Sequence, residues 1–134
     1  MSMFSIFNVS GSAISSQAQR LNVVASNLAN ADAVAGPDGK GYKARQVVFQ
    51  TVPMDSEASS GVKVSAIEES QEPLKRAYQP GHPMADSDGY ITQSNVNPVE
   101  EMVNMISASR SYQNNVEVMN TAKTLLLKTL QLGQ

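Results

Sequence analysis

The chain has 134 residues, no Cys, no Trp, 5% aromatic residues and a net charge of −2. That length fits one domain, or one small domain with extensions. The balance excludes a disulfide framework, a thiolate metal site, a broad basic face for nucleic acid and an aromatic platform for stacking bases.

The chain opens with MSMFSIFNVSGSAISS, which has no basic n-region and no long apolar run. It does not read as a cleaved secretory signal, and no stretch approaches the roughly 20 apolar residues of a membrane span. Direct membrane insertion is therefore not expected. Between residues 12 and 35 there is neither Gly nor Pro, which predicts a long first helix. Phe7, Ile14, Leu21 and Leu28 are spaced seven apart, and Gly11, Ala18 and Ala25 follow four residues behind the first three. A seven-residue repeat keeps a seam facing a partner helix, and the small residues are expected to let the partner come close. Residues 1–35 carry only two charges, Arg20 and Asp32; the polar positions are Ser15, Ser16, Gln17, Gln19, Asn22, Ser26 and Asn27. Exposed helices usually carry Lys and Glu, so this polar face is expected to meet protein.

NLANADAVAGPDGKGYKARQ (residues 27–46) leads out of the helix. Its Gly39-Lys40 pair does not make a phosphate loop, because Val34 stands where the first Gly belongs and Gly41 where Ser or Thr belongs. The stretch reads as a turn between two elements.

The middle region holds five of the six prolines and fourteen charged residues within 36–93. KARQVVFQTV (43–52), GVKVSAIEE (61–69) and GYITQ (89–93) read as strands bounded by turn residues. SEASSG (56–61) is expected to be a loop with Ser59 exposed. Apolar material is scarce, so a small β unit resting on the helices is expected. His82 is the single histidine; paired with Asp86 or Asp88 it could serve as a base, but no nucleophile motif accompanies it. Asp86-Ser87-Asp88-Gly89 lacks an acid or Asn at Met84 and the Glu at Asn95 that a calcium loop needs, so it reads as an Asp/Gly turn. Glu68, Glu69 and Glu72 read as a solvated face. No catalytic residue, metal ligand set or cofactor site is expected.

The last element has a readable start. In NVNPVEEM, Asn97 suits the N-cap, Pro98 the first turn and Glu100 the third position. A helix over 98–132 spans about 50 Å, a length usual in coiled coils and assemblies. Met105, Tyr112, Met119 and Leu126 are again seven apart, with Met102, Val116 and Leu130 beside them. The stripes also suit core faces of an ordinary bundle, and Lys123 and Asn115 interrupt the second one; spacing alone leaves both readings open. The expected fold is α+β, with two long terminal helices pairing as a coiled-coil-like core around a small β-rich middle region. The segments are 1–35, 36–93 and 94–134.

These residues favour an interaction protein over an enzyme. Two stretches then carry a resemblance. ASNLANAD (25–32), followed by Gly41-Tyr42-Lys43, resembles the N-terminal signature of the bacterial flagellar basal-body rod protein family, with Asn27, Leu28, Ala29, Asn30, Gly41 and Tyr42 as its motif positions. The run from residue 94 to 134 resembles the C-terminal helix of the same family, and the middle region is most similar to its proximal-rod member. Ala33 stands where many relatives have Thr, and residues 35–40 intervene before the Gly-Tyr pair. The resemblance implies a structural subunit, exported unfolded through the flagellar type III export apparatus without a cleaved signal. It implies self-association within a periplasmic rod that transmits torque and encloses the export channel. The implied partners are the rod proteins FlgB, FlgF and FlgG and the adaptor FliE. Rival readings are another axial subunit, a type III-exported effector or coiled-coil interaction protein, and a small hydrolase built on His82 with Asp86 or Asp88.

Overall fold

The computed structural model describes residues 3–54 and 56–133; Met1, Ser2, Asp55 and Gln134, which include the outer ends of the 1–35 and 94–134 segments, lie outside that set. Helix α1 runs Met3–Ala29 and helix α2 Pro98–Leu132. Between them lie strands β1 (Arg45–Met54), β2 (Ser56–Glu69), β3 (Arg76–Tyr78) and β4 (Tyr90–Thr92). The α+β arrangement of two terminal helices around a small β-rich middle is thus present.

α1 stops six residues short of position 35. Asn30 ends it by sending both its backbone N–H and its side-chain amide to the Ser26 carbonyl, at 3.1 and 2.8 Å. That satisfies one carbonyl which a helix end leaves unpaired. The chain then crosses to the second sheet through a Val34–Gln93 bridge and an Ala35 N–H to Thr92 carbonyl bond of 2.8 Å. Gly39 turns the chain at φ +73°, a conformation open mainly to glycine. A side chain at Gly41 would stand 2.8 Å from Leu74 Cδ1, so only glycine fits that crossing without displacing Leu74.

β1 and β2 form a long antiparallel hairpin with register irregularities at Val48/Phe49 and Pro53/Met54. The predicted loop at 56–61 does not exist as such: these residues are the start of β2, and Ser59 is 3% exposed. Ser and Ala are weak strand formers in isolation. Here pairing with β1 and cover from α1 decide their conformation. β3 and β4 form a second antiparallel pair, with Arg76 opposite Thr92 and Tyr78 opposite Tyr90. β3 has too few residues to show alternation, so the sequence carries no sign of it.

α2 begins at the cap read from the sequence. Asn97 Oδ1 accepts from the N–H groups of Val99 and Glu100 at 3.2 and 3.5 Å, and Pro98 occupies the first turn. Glu100 is exposed. The two helices pack antiparallel: Asn27 meets Glu101, Arg20 reaches Asn104, and Ile6 lines one hollow together with Val118, Ala122 and Leu125. The hairpin lies along α1, its base at Asn27 and its middle at Ser12 and Ser16. The largest fully buried apolar side chains, Ile91 and Val96, sit where the second sheet meets the entry to α2.

Candidate functional site: the helix seam and its junction

The seam on α2 follows a heptad, but its two rows differ from those expected. Met105, Met119 and Leu126 are half-buried and Tyr112 is 36% exposed. The row beside them is Glu101, Ala108, Asn115 and Ala122, with Ala108 and Ala122 almost completely buried. Met102 and Leu130, expected beside the seam, are exposed. Val116 is half-buried. The reason is geometric. Where helices approach closely, the deepest positions take small side chains, whereas a search for apolar bulk passes over Ala, Asn and Glu.

α1 shows the same inversion. Phe7, Ile14, Leu21 and Leu28 are half-buried, while Ser10, Ser16, Val24 and Asn27 are the buried set. A Cβ added at Gly11 would meet nothing within 4 Å, and Ala25 is exposed, so those two do not provide a close approach. The close approach lies at Gly61 of β2, where a Cβ would stand 2.8 Å from Ser12 Oγ.

The uncharged polar face of α1 meets protein only in part: Ser16 and Asn27 are buried and Gln17 and Ser26 half-buried, whereas Ser15, Gln19 and Asn22 are exposed. Ser12 Oγ accepts the Val62 N–H at 3.1 Å and donates to the Val9 carbonyl at 2.7 Å; Ser16 Oγ donates to the Val62 carbonyl at 3.2 Å. Both backbone polar groups of Val62 are thereby taken by α1. An open strand edge otherwise invites pairing with another chain. Two serines cover it here at the cost of no charge.

Asn27 is the centre of the junction and is wholly buried. Its Oδ1 accepts from the Arg45 N–H at 3.0 Å and from Tyr42 OH at 2.8 Å. Its Nδ2 donates to the Arg45 carbonyl at 2.8 Å and to Glu101 Oε2 at 3.1 Å. One carboxamide has two donors and two acceptor positions, and all four are used. The motif positions Asn27 and Tyr42 are therefore in direct contact, and Ser26 Oγ lies 3.2 Å from the same Tyr42 hydroxyl. Leu28 is half-buried and Ala29 is exposed at the helix end.

Sequence reading missed Ser94 and Asn95. Ser94 is fully buried and donates to the Ala31 carbonyl at 2.6 Å. Asn95 accepts from the Ala44 N–H at 2.6 Å and donates to the Glu72 carbonyl at 2.9 Å. Lys75 Nζ adds a 2.8 Å bond to the Val96 carbonyl. Together they tie the entry of α2 to the exit of α1. The available signal was the SNVN run itself, polar residues with strong side-chain-to-backbone habits immediately before a helix.

Among the described residues, the acids near His82 close turns. Asp86 is held by the N–H groups of Tyr90 (2.9 Å) and Asp88 (3.0 Å) and by Arg76 (2.6 Å). The Tyr90 N–H, then the Asp88 N–H and the Arg76 charge, hold its carboxyl below the usual carboxylate range, against an opposing desolvation. Arg76 also lies 4.9 Å over the Tyr90 ring, which packs edge-on to Tyr78 at 5.2 Å. His82 Nδ1 accepts the Met84 N–H at 3.0 Å. These are turn-closing contacts. Among the described residues no group of three acids or histidines could hold a metal ion, and no helix is long and apolar enough to cross a membrane.

Comparison with known proteins bears on both ends of the chain. The family described as flagella basal body rod protein matches residues 7–37, and that described as flagellar basal body rod FlgEFG protein C-terminal matches residues 87–132. The flagellar basal-body rod protein FlgC of Salmonella typhimurium is 57% identical over the full length of both chains. That of Escherichia coli O157:H7 is 58% identical, also over both full lengths, and that of Buchnera aphidicola from Schizaphis graminum is 48% identical over the same coverage. With likeness of this extent, spanning both helices and the junction between them, the chain belongs to the flagellar basal-body rod protein family.

Proposed function

We propose that the chain is a structural subunit of the proximal part of the flagellar rod, not an enzyme. The observation that carries this is the full-length identity of 57% to a basal-body rod protein. The geometry supports it. α2 presents Val99, Met102, Val103 and Ile106 on its outer face, each more than half exposed. Its last turns, with Leu127, Leu130 and Leu132 exposed, run past the start of α1. A helix pair with apolar residues on both its inner and outer faces suits a layer inside a larger helical assembly.

In this reading the paired helices stack with those of neighbours to form the wall of the tube, and the hairpin and second sheet stand outside it. The rod crosses the periplasm, transmits torque and encloses the export channel. FlgB, FlgF, FlgG and FliE are its neighbours, and the flagellar type III export apparatus is its route, without a cleaved signal. The test is location. A tagged chain that restores swimming to a strain deleted for its own gene should co-purify with hook–basal bodies. Recovery only from the medium or cytosol would overturn the reading in favour of a secreted interaction protein or a soluble one.

A further inference from the structure

A heptad seam does not by itself fix an alignment. Sliding α2 by seven residues brings Tyr112 to the place of Met105 and Asn115 to the place of Ala108. Apolar contact is non-directional and roughly proportional to area, so it separates such alignments poorly. It also separates a chain's own α2 poorly from that of a second copy. Among the described residues, two contacts from α1 to α2 are directional and bear on this. Arg20 reaches Asn104 Oδ1 at 3.5 Å, which is a weak contact. Asn27 donates to Glu101 Oε2 at 3.1 Å, with both residues buried.

The second contact is the discriminating one, because Asn27 cannot adapt. Its amide is oriented by Arg45, which gives an N–H to Oδ1 and takes a hydrogen from Nδ2, and Tyr42 fills the remaining acceptor position. A single hydrogen of Nδ2 is left, aimed at α2. In the observed alignment it meets Glu101. One heptad away it would meet Ala108 and leave a buried donor unpaired, while the Glu101 carboxylate would lose its amide. We propose that Asn27 and Glu101 form the pairing key of the seam, by which α1 selects α2 in one alignment and in preference to the α2 of another copy. The key is presented only when the base of the hairpin is docked, since Arg45 and Tyr42 orient it. Ser94 and Asn95 tether the entry of α2 but lie beyond the seam; they hold a chain's own helix near and do nothing to bar a neighbour's. A buried polar residue that sets register and partner number, at some cost in stability, is the best-attested role for such a group in paired helices.

The chain contains no Cys, so reporter pairs can be placed cleanly. Arg20→Cys with Asn104→Cys reports the observed alignment, and Arg20→Cys with Ser111→Cys reports one slid by a heptad. With a short bis-maleimide linker, the first pair should cross-link within one chain, and the second about tenfold less, on an otherwise unchanged background. Adding Asn27→Leu and Glu101→Leu together removes the key and also deprives the Arg45 backbone and the Tyr42 hydroxyl of a partner, so the helical circular dichroism signal is recorded first. The double change should bring the two yields within about threefold and create cross-links between chains. Glu101→Gln alone, whose amide oxygen still accepts from an intact Asn27, should keep the original ratio. A double-leucine chain that keeps its preference and stays cross-linked within itself would overturn the proposal and leave the tether as the determinant. Should that chain lose its helices, Glu101→Ala is read in the same way, and an unchanged ratio there overturns the proposal equally.

Discussion

At Asn27 four hydrogen bonds converge on one buried carboxamide, and their other ends belong to β1, the turn before it and α2. Replacing it by Ala leaves the Arg45 N–H and C=O, the Tyr42 hydroxyl and the Glu101 carboxylate short of a partner. An orphaned buried group costs about 1–3 kcal/mol, and water entering the vacated space recovers part of that. Asn27→Ala should therefore lower unfolding stability by roughly 3–5 kcal/mol in urea titration; a loss below about 1 kcal/mol would mean the node is solvated in solution. The motif position was legible in the sequence, but its partners were not. They lie 15, 18 and 74 residues away, and no local pattern records such pairings. Asp86 shows the opposite case, an Asp/Gly turn read correctly because its partners are local. Its carboxyl is held below the ordinary value of 3.8, first by the Tyr90 N–H. A depressed folded-state value means the contribution is present above pH 3.8 and is lost as pH falls through the lowered value. The Tyr90 and Asp88 amide resonances should accordingly shift only on acidification below that point, and Asp86→Asn should abolish the titration. A shift centred above about pH 4 would contradict the assigned hydrogen bonds.

The helices and strands were legible to different depths, and packing explains the difference. The start of α2 is written in three residues, Asn97, Pro98 and Glu100, and the helix begins there. Its seam was half visible. The row of Met105, Tyr112, Met119 and Leu126 stands out by bulk, whereas the row that packs deepest is Glu101, Ala108, Asn115 and Ala122. Ala108 has no exposed surface at all, so a larger side chain there must push α1 away. Ala108→Leu should destabilise the subunit by about 1–3 kcal/mol, or more if the backbones cannot separate, although leucine and alanine are both good helix formers. Thermal melting of the purified chain checks this. An unchanged or raised midpoint would reveal a void beside Ala108, at odds with its complete burial. The hairpin was legible in its Val- and Ile-rich halves only. Its Ser-rich stretch reads as loop from propensity, yet α1 covers it and Ser12 and Ser16 bond to its edge; tertiary cover overrides local preference there.

On the scale of the whole molecule, the described contacts leave the helix pair half finished. Its inner rows meet each other, while the outer face of α2 and its last turns remain apolar and open. Met119 lies midway along the inner row and is half-buried. An Asp there keeps part of its hydration in the isolated subunit, so the cost of folding should be moderate, about 1–3 kcal/mol. In an assembly whose neighbours close over the seam, that remaining access disappears. The charge must then be buried without a partner, at several kcal/mol. A helical polymer repeats this defect in every copy. Met119→Asp should thus yield a subunit that is made and folded but builds no rod, and the cells should not swim. A matched change on the outer region is needed for comparison. Ser59 does not serve, being buried in β2, but Gln50 is exposed on β1. Gln50→Glu should cost no more than about 0.5 kcal/mol and leave swimming intact. Electron microscopy of basal bodies from the two strains separates the outcomes. Normal rods in the Met119 strain would mean that the seam stays open to water after assembly, and that the wall of the tube is built from other surfaces.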